Sequence, residues 1–186
     1  MEYRADALER AARIRMVVLD VDGTLTDGRI YIGPEGEAMK EFSVKDGMGI
    51  TMMHRAGLET AIITGRSSQI VECRAAELKI DRVWQGVKNK HEAWQQLKQE
   101  MNLTNREIAY VGDDLNDLSI LQQAGLACCT GDARTEVKRF SHVISGYDGG
   151  NGAVREIAEF ILKAQGKWQS LVEAFAGIKA VPSYGQ

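Results

Sequence analysis

Within "IRMVVLD" (14–20), four consecutive apolar residues, Met16 to Leu19, run without interruption into Asp20. A strand with one face in water alternates polar and apolar side chains. A run without alternation belongs in a sheet covered on both sides. "ETAIITG" (59–65), "DRVWQG" (81–86), "IAYVGDD" (108–114) and "GLACCTG" (125–131) read the same way. Between them lie helix-patterned stretches. "GMGITMMHRAG" (47–57) stops at Gly57, and "SSQIVECRAAELK" (67–79) opens on serine caps. "NKHEAWQQLKQEMN" (89–102) spaces Trp94, Leu97 and Met101 along one face, and "DLNDLSILQQAG" (114–125) spaces Leu115, Leu118 and Leu121. Strand–helix alternation of this kind predicts a single α/β domain over 1–186, core about 13–165, built on a doubly wound parallel sheet. Such sheets bind ligands at the carboxyl ends of their strands, near a topological switch point.

Two segments break the alternation. "RIYIGPEGEAMKEFSV" (29–44) places β-type residues on either side of Gly33-Pro34-Glu35-Gly36, which predicts a projecting hairpin. A lone hairpin is marginal in water, so this one is expected to pack on something, such as another subunit. "GGNGAVREIAEFILKAQGKWQSLVEAFA" (149–176) predicts a glycine-flanked helix broken near Gly166, with the last ten residues mobile. The net charge of −3 gives no reason to expect nucleic acid or an anionic membrane as partner. No apolar stretch approaches the ~20 residues of a membrane span, and "MEYRADALERAARIR" is too charged for a secretory signal. Cys73, Cys128 and Cys129 have no metal-ligand spacing, and a cytoplasmic setting is expected.

Carboxylates repel one another and resist desolvation, so crowding them at a strand end is unfavourable unless a cation or a reaction uses them. Here the first strand ends in Asp20-Val21-Asp22-Gly23-Thr24 and the second in Thr64-Gly65-Arg66. Lys90 starts the helix after the third, and the fourth ends in Gly112-Asp113-Asp114, with Asp117 one turn on. A parallel sheet gathers all of these on one edge. The resulting set of acids, one amine and hydroxyl and backbone donors suits Mg²⁺ and a phosphoryl group.

These motifs, D-x-D-G-T, T-G, a lysine and G-D-D-x-x-D in that order over residues 20–117, resemble the haloacid dehalogenase superfamily of aspartate-nucleophile phosphatases. The resemblance implies that Asp20 attacks phosphorus to form an aspartyl-phosphate, and that Asp22 protonates the leaving alkoxide and then deprotonates water. It implies that Thr64 binds a phosphoryl oxygen and Lys90 holds Asp20. Mg²⁺ would sit on Asp20, the Asp22 carbonyl and Asp113, with Asp114 and Asp117 in support. Asp114 and Asp117 read equally well as acids complementing a helix N-terminus. Asp27 reads as a turn cap. His54, His91 and His142 are given no chemistry, and Met39, Met48, Met52 and Met53 read as packing.

The gaps between motifs leave no room for a lid domain. Within the superfamily, "DVDGTLTDGRIYIGPEGE", "FSVKDGMGI", "AIITGRSSQIVECR", "WQGVKNK", "YVGDDLNDL" and "GGNGAVREI" resemble the capless, tetrameric phosphatases of 3-deoxy-D-manno-octulosonate 8-phosphate, a step of lipopolysaccharide precursor synthesis. That resemblance implies a substrate loop at Ser43, Val44, Lys45, Asp46 and Gly47, and substrate contacts at Gly65, Arg66, Arg74, Lys90 and Asn116. A cationic rim suits a 2-keto sugar acid phosphate. It further implies a homotetramer built through the hairpin, with Gly149 to Arg155 closing a neighbour's site. Thr51 and Asn151 depart from the pattern, standing where the family often has arginine. Nine-carbon nonulosonate 9-phosphates therefore stay open as substrates. A catalytically silent oligomerisation domain is a different class of reading, opposed by the presence of Asp20, Asp22, Lys90 and Asp113. A phosphate-accepting receiver domain is another, and has no need of Asp22.

Overall fold

A computed structural model describes residues 1–177 of the chain. In chain order the elements are β1 (Glu2–Tyr3), α1 (Ala7–Ala11), β2 (Met16–Leu19), β3 (Tyr31–Gly33), β4 (Gly36–Met39), α2 (Val44–Arg55), β5 (Glu59–Ile63), α3 (Gln69–Glu77) and β6 (Arg82–Trp84). Then come α4 (Lys90–Met101), β7 (Ile108–Gly112), α5 (Leu118–Leu121), β8 (Leu126–Cys129), α6 (Thr135–Phe140), β9 (Val143–Ile144), α7 (Ala153–Ala164) and α8 (Trp168–Phe175). Seven strands form one sheet in the order β1-β9-β8-β7-β2-β5-β6, parallel except for β1, while β3 and β4 form a separate antiparallel pair. All five expected strands are present, as is the hairpin.

Successive strand residues enter opposite layers. Val17, Leu19, Ile62, Ala109, Val111, Leu126 and Cys128 pack under α1, α2, α3, α7 and α8. Met16, Val18, Ala61, Ile63, Ile108, Tyr110, Ala127 and Cys129 pack under α4, α5 and α6. Coverage of both faces is why these strands read as unbroken apolar runs. The chain leaves β2 towards β5 and β6, then returns to the other side of β2 for β7, β8 and β9, so the winding reverses between β2 and β7. Register matters here: Leu19 lies opposite both Ile62 and Val111, which ends the three strands almost level. Asp20, Thr64 and Asp113 follow within one residue of those ends.

Some expectations need correction. Helix α2 begins at Val44 rather than Gly47, because the Ser43 side chain accepts from the Lys45 and Asp46 amides. Gly49, inside that helix, is a point of close approach: a Cβ there would lie 2.9 Å from Arg155 Cα of α7. Met52 and Met53 are core residues, but Met39 and Met48 are exposed, along with Ile32 and Val44. The short pieces β1, α1, α6 and β9 have no counterpart in the sequence reading. Chain flow after α7 does break at Gly166, whose φ is +67°, and α8 follows. Most of the tail expected to be mobile lies outside the described residues.

Candidate active site

Asp20 is 4% exposed and its Oδ1 sits 2.8 Å from Lys90 Nζ. The same amine lies 2.7 Å from Asp117 Oδ1 and 3.1 Å from the Tyr110 hydroxyl. Tyr110 in turn donates to Asp117 Oδ1 at 2.7 Å, while Asp117 Oδ2 accepts from the Asp113 and Asp114 amides. Every lone-pair direction of Asp117 is therefore met by protein donors. It braces Lys90 and the loop after β7 from below. Asp114 is exposed, and its carboxylate takes the Leu115 amide as a helix cap. Of the two acids read equally as cap or support, one is a cap and the other a brace.

Asp113 is reached by the Thr24 hydroxyl, at 3.3 Å, on one oxygen only. Carboxylate oxygens of Asp20, Asp113 and Asp117 all lie within 4.8 Å of one another. Burial pushes the Asp20 carboxyl up to about 6 even though Lys90 opposes the shift. Burial together with the Asp20 and Asp117 charges pushes Asp113 up to about 8. Burial would draw the Lys90 proton off, but Asp20 and Asp117 outweigh it and hold the amine above its ordinary value. Three carboxylates thus face one amine. With Asp117 saturated, Asp20 and Asp113 offer open hard-oxygen donors short of positive charge, the donor set that suits a divalent cation such as Mg²⁺.

Asp22 lies on the hairpin side of this cluster. Its Oδ1 is ion-paired with Lys40 Nζ, and its Oδ2 lies 3.8 Å from Arg66 Nε. Lys40 and its neighbour Glu37 are absent from the sequence reading. Nothing local marks either residue, since their partners come from other parts of the chain. The loop over the site is held by a segment far along the sequence. The Gly150 amide donates to the Thr24 carbonyl at 3.0 Å, and a Cβ at Gly149 would lie 1.9 Å from Gly23 O. Gly149 to Arg155, expected to close a neighbour's site, is packed at its start on this chain's own 23–26 loop. Backbone can approach backbone this closely only where there is no side chain.

Of the other expected residues, Thr64 is buried at the end of β5, its amide bonded to the Trp84 carbonyl. Gly65 and Arg66 follow it and are exposed. Val44 and Lys45 are exposed at the start of α2, whereas Asp46 is buried, its two oxygens accepting from the Gly152 and Arg155 amides. Asp46 therefore caps the start of α7, a helix far along the same chain, through both carboxylate oxygens. Arg74 lies over the Phe42 ring, pairs with Glu77 at 2.7 Å and closes on Gly47. Asn116 is exposed. Asp27 accepts from the Arg29 amide, as a turn cap does.

Asp20 thus stands at a strand end beside the reversal of a doubly wound sheet, with an amine and further acids across from it, and the family model described as haloacid dehalogenase-like hydrolase matches residues 82–157. Over 163 residues the chain is 42% identical to the 3-deoxy-D-manno-octulosonate 8-phosphate phosphatase KdsC of Escherichia coli K12, covering 88% of this chain and 87% of that one. The crystal structure of the phosphatase of that name from Yersinia pestis superposes with a TM-score of 0.86 at 39% identity, covering 89% of each chain. That from Moraxella catarrhalis, in complex with magnesium ion, phosphate ion and KDO, gives a TM-score of 0.89 at 38% identity, covering 92% of this chain and 99% of that one. The chain belongs to the 3-deoxy-D-manno-octulosonate 8-phosphate phosphatase family of haloacid dehalogenase-like hydrolases.

Proposed function

We propose that this protein, acting as a single domain, hydrolyses 3-deoxy-D-manno-octulosonate 8-phosphate to the free sugar acid and phosphate, in lipopolysaccharide precursor synthesis. The observation that carries the reading is Lys90 on one oxygen of Asp20 beside the under-compensated Asp113. Held by one oxygen, Asp20 keeps the other for in-line attack on phosphorus. The P–O bond to the sugar breaks as the Asp20–phosphorus bond forms, and Asp22 gives its proton to the departing oxygen. Asp22 then takes a proton from the water that displaces Asp20 from phosphorus. Thr64 and the Gly65 backbone, directly after β5, would bind phosphoryl oxygens, with Arg66, Arg74, Lys45 and Asn116 on the sugar side. Asp20, Asp113 and the Asp22 carbonyl would hold Mg²⁺, which supplies charge neutralisation and orientation for the phosphoryl group.

The nonulosonate reading draws on Thr51, whose hydroxyl turns back to the Gly47 carbonyl at 3.0 Å and brings no charge to the rim. A phosphate-release assay separates the two. The eight-carbon substrate is expected to be turned over at least ~10-fold more efficiently than nine-carbon 9-phosphates, a gap of ~1.4 kcal/mol, with all activity lost to chelator. Preference for the nine-carbon esters would overturn the assignment. The exposed Ile32, Met39 and Val44 support assembly as a homotetramer through the hairpin. No helix among the described residues is long and apolar enough to cross a membrane, and three unpaired cysteines fit a cytoplasmic setting.

A further inference from the structure

We propose that Lys40, carried on the hairpin, is a positioning residue that holds Asp22 for proton transfer. The inference rests on Asp22 as the proton donor and adds a residue which that reading does not use. The Lys40 side chain is 1% exposed, yet it follows a strand whose other residues are largely in solvent. Its amine pairs with Asp22 Oδ1 and lies 2.9 Å from Glu37 Oε1, an ion pair rather than an aligned hydrogen bond. The second Glu37 oxygen takes the Ser68 hydroxyl. Arg66 faces both carboxylates at 3.8 Å, but its side chain is 48% exposed. With Asp22 ionised, as it is after the proton has passed, two acids and two cations form a closed, neutral network, with Lys40 as its buried member.

Burial decides which cation governs Asp22. An exposed guanidinium at 3.8 Å is screened and mobile, whereas a desolvated amine stripped of its partners would be strongly unfavourable, so Lys40 and Asp22 hold each other in place. A proton donor acts only when its oxygen is fixed within reach of the departing atom. Pairing through Oδ1 leaves Oδ2 beside only the exposed Arg66, at 3.8 Å. Once the proton has passed from Asp22 to the sugar oxygen, the carboxylate that remains is the form Lys40 pairs with. The charge that develops on Asp22 during transfer therefore meets a preorganised cation.

The test compares an alkyl leaving group with an aryl one. The sugar oxygen needs a proton to depart, whereas p-nitrophenolate leaves without one. Both esters are assayed as kcat/KM, which reports steps up to phosphoenzyme formation. Asp22→Asn is expected to lose about 10²–10⁴-fold on the sugar phosphate and far less on p-nitrophenyl phosphate. Lys40→Met is expected to follow the same selective pattern at about 10–100-fold, with Lys40→Arg recovering part of the loss. The double variant Lys40→Met/Glu37→Gln leaves no unpaired Glu37 carboxylate beside a missing amine, so it covers the case in which Lys40→Met fails to fold. Equal losses on both esters, or none, in these Lys40 variants with native circular dichroism would overturn the proposal. If Asp22→Asn itself is not selective, the proton-donor reading falls and the role of Lys40 falls with it. Selectivity in Asp22→Asn alone removes only Lys40.

Discussion

At the scale of single residues, the site sets electrostatic tension against chemistry. Asp20→Asn keeps the shape and removes the proposed nucleophile. Phosphate release is expected to fall by more than ~10⁴-fold while thermal stability holds or rises, since a buried charge is lost. Turnover within 10-fold of the parent, roughly 1.4 kcal/mol, would remove Asp20 from that role. Asp113 gives the pH dependence. Its folded carboxyl sits at about 8, above the ordinary carboxylate range, so the metal-free native state holds a proton that the unfolded chain releases. The stability it contributes is full below the unfolded value and is lost as pH rises through about 8. Mg²⁺ favours the ionised form, so it should raise Tm more at about pH 8 than at about pH 5. Asp113→Asn should stabilise the metal-free protein at about pH 8 by ~2 kcal/mol and abolish the Mg²⁺ response. A metal-induced rise equal at both pH values would contradict this account.

At the scale of elements, the loop over the site depends on glycine backbone from far along the chain. Gly149→Ala would press a methyl group into the Gly23 carbonyl. It is expected to lower stability by ~3 kcal/mol and to cut turnover with it. Gly166→Ala, where φ is positive but nothing lies within 4 Å of the new carbon, should lose only ~1 kcal/mol and leave kcat intact. Denaturant melts on the two variants check the contrast, and similar losses in both would refute it. This difference also marks what the sequence could reveal. Met16–Leu19 and Ile108–Gly112 were legible because burial on both faces writes an unbroken apolar run. Asp20, Lys90 and Asp113 were legible as an ordered series at strand and helix ends. By contrast, β1 and β9 are two residues each and exist through edge pairing, for which a local pattern is too short. Lys40 and the capping bonds of Asp46 went unread for one physical reason. Their partners, Asp22 and the start of α7, are brought to them by the fold, and no spacing along the chain foretells it.

At the scale of the whole molecule, the hairpin stands outside the main sheet. It forms a sheet of two strands, unattached to the main seven, with Ile32 79% and Met39 55% exposed. Ile32→Asp with Met39→Glu is expected to shift the sedimentation of the protein to a smaller species and leave the far-ultraviolet spectrum unchanged. An unaltered sedimentation profile would remove the hairpin as the assembly surface. Hydrogen exchange across 31–39 should be slow in the assembled protein and fast in that variant. Strand β4, on which Met39 is exposed, also leads directly into Lys40, whose amine reaches Asp22. If the protein assembles through the hairpin as proposed, dilution would loosen the hold on Asp22 as well as the assembly. Specific activity measured at nanomolar enzyme would fall short of that at micromolar enzyme, making the rate per subunit a gauge of how crowded the subunits are.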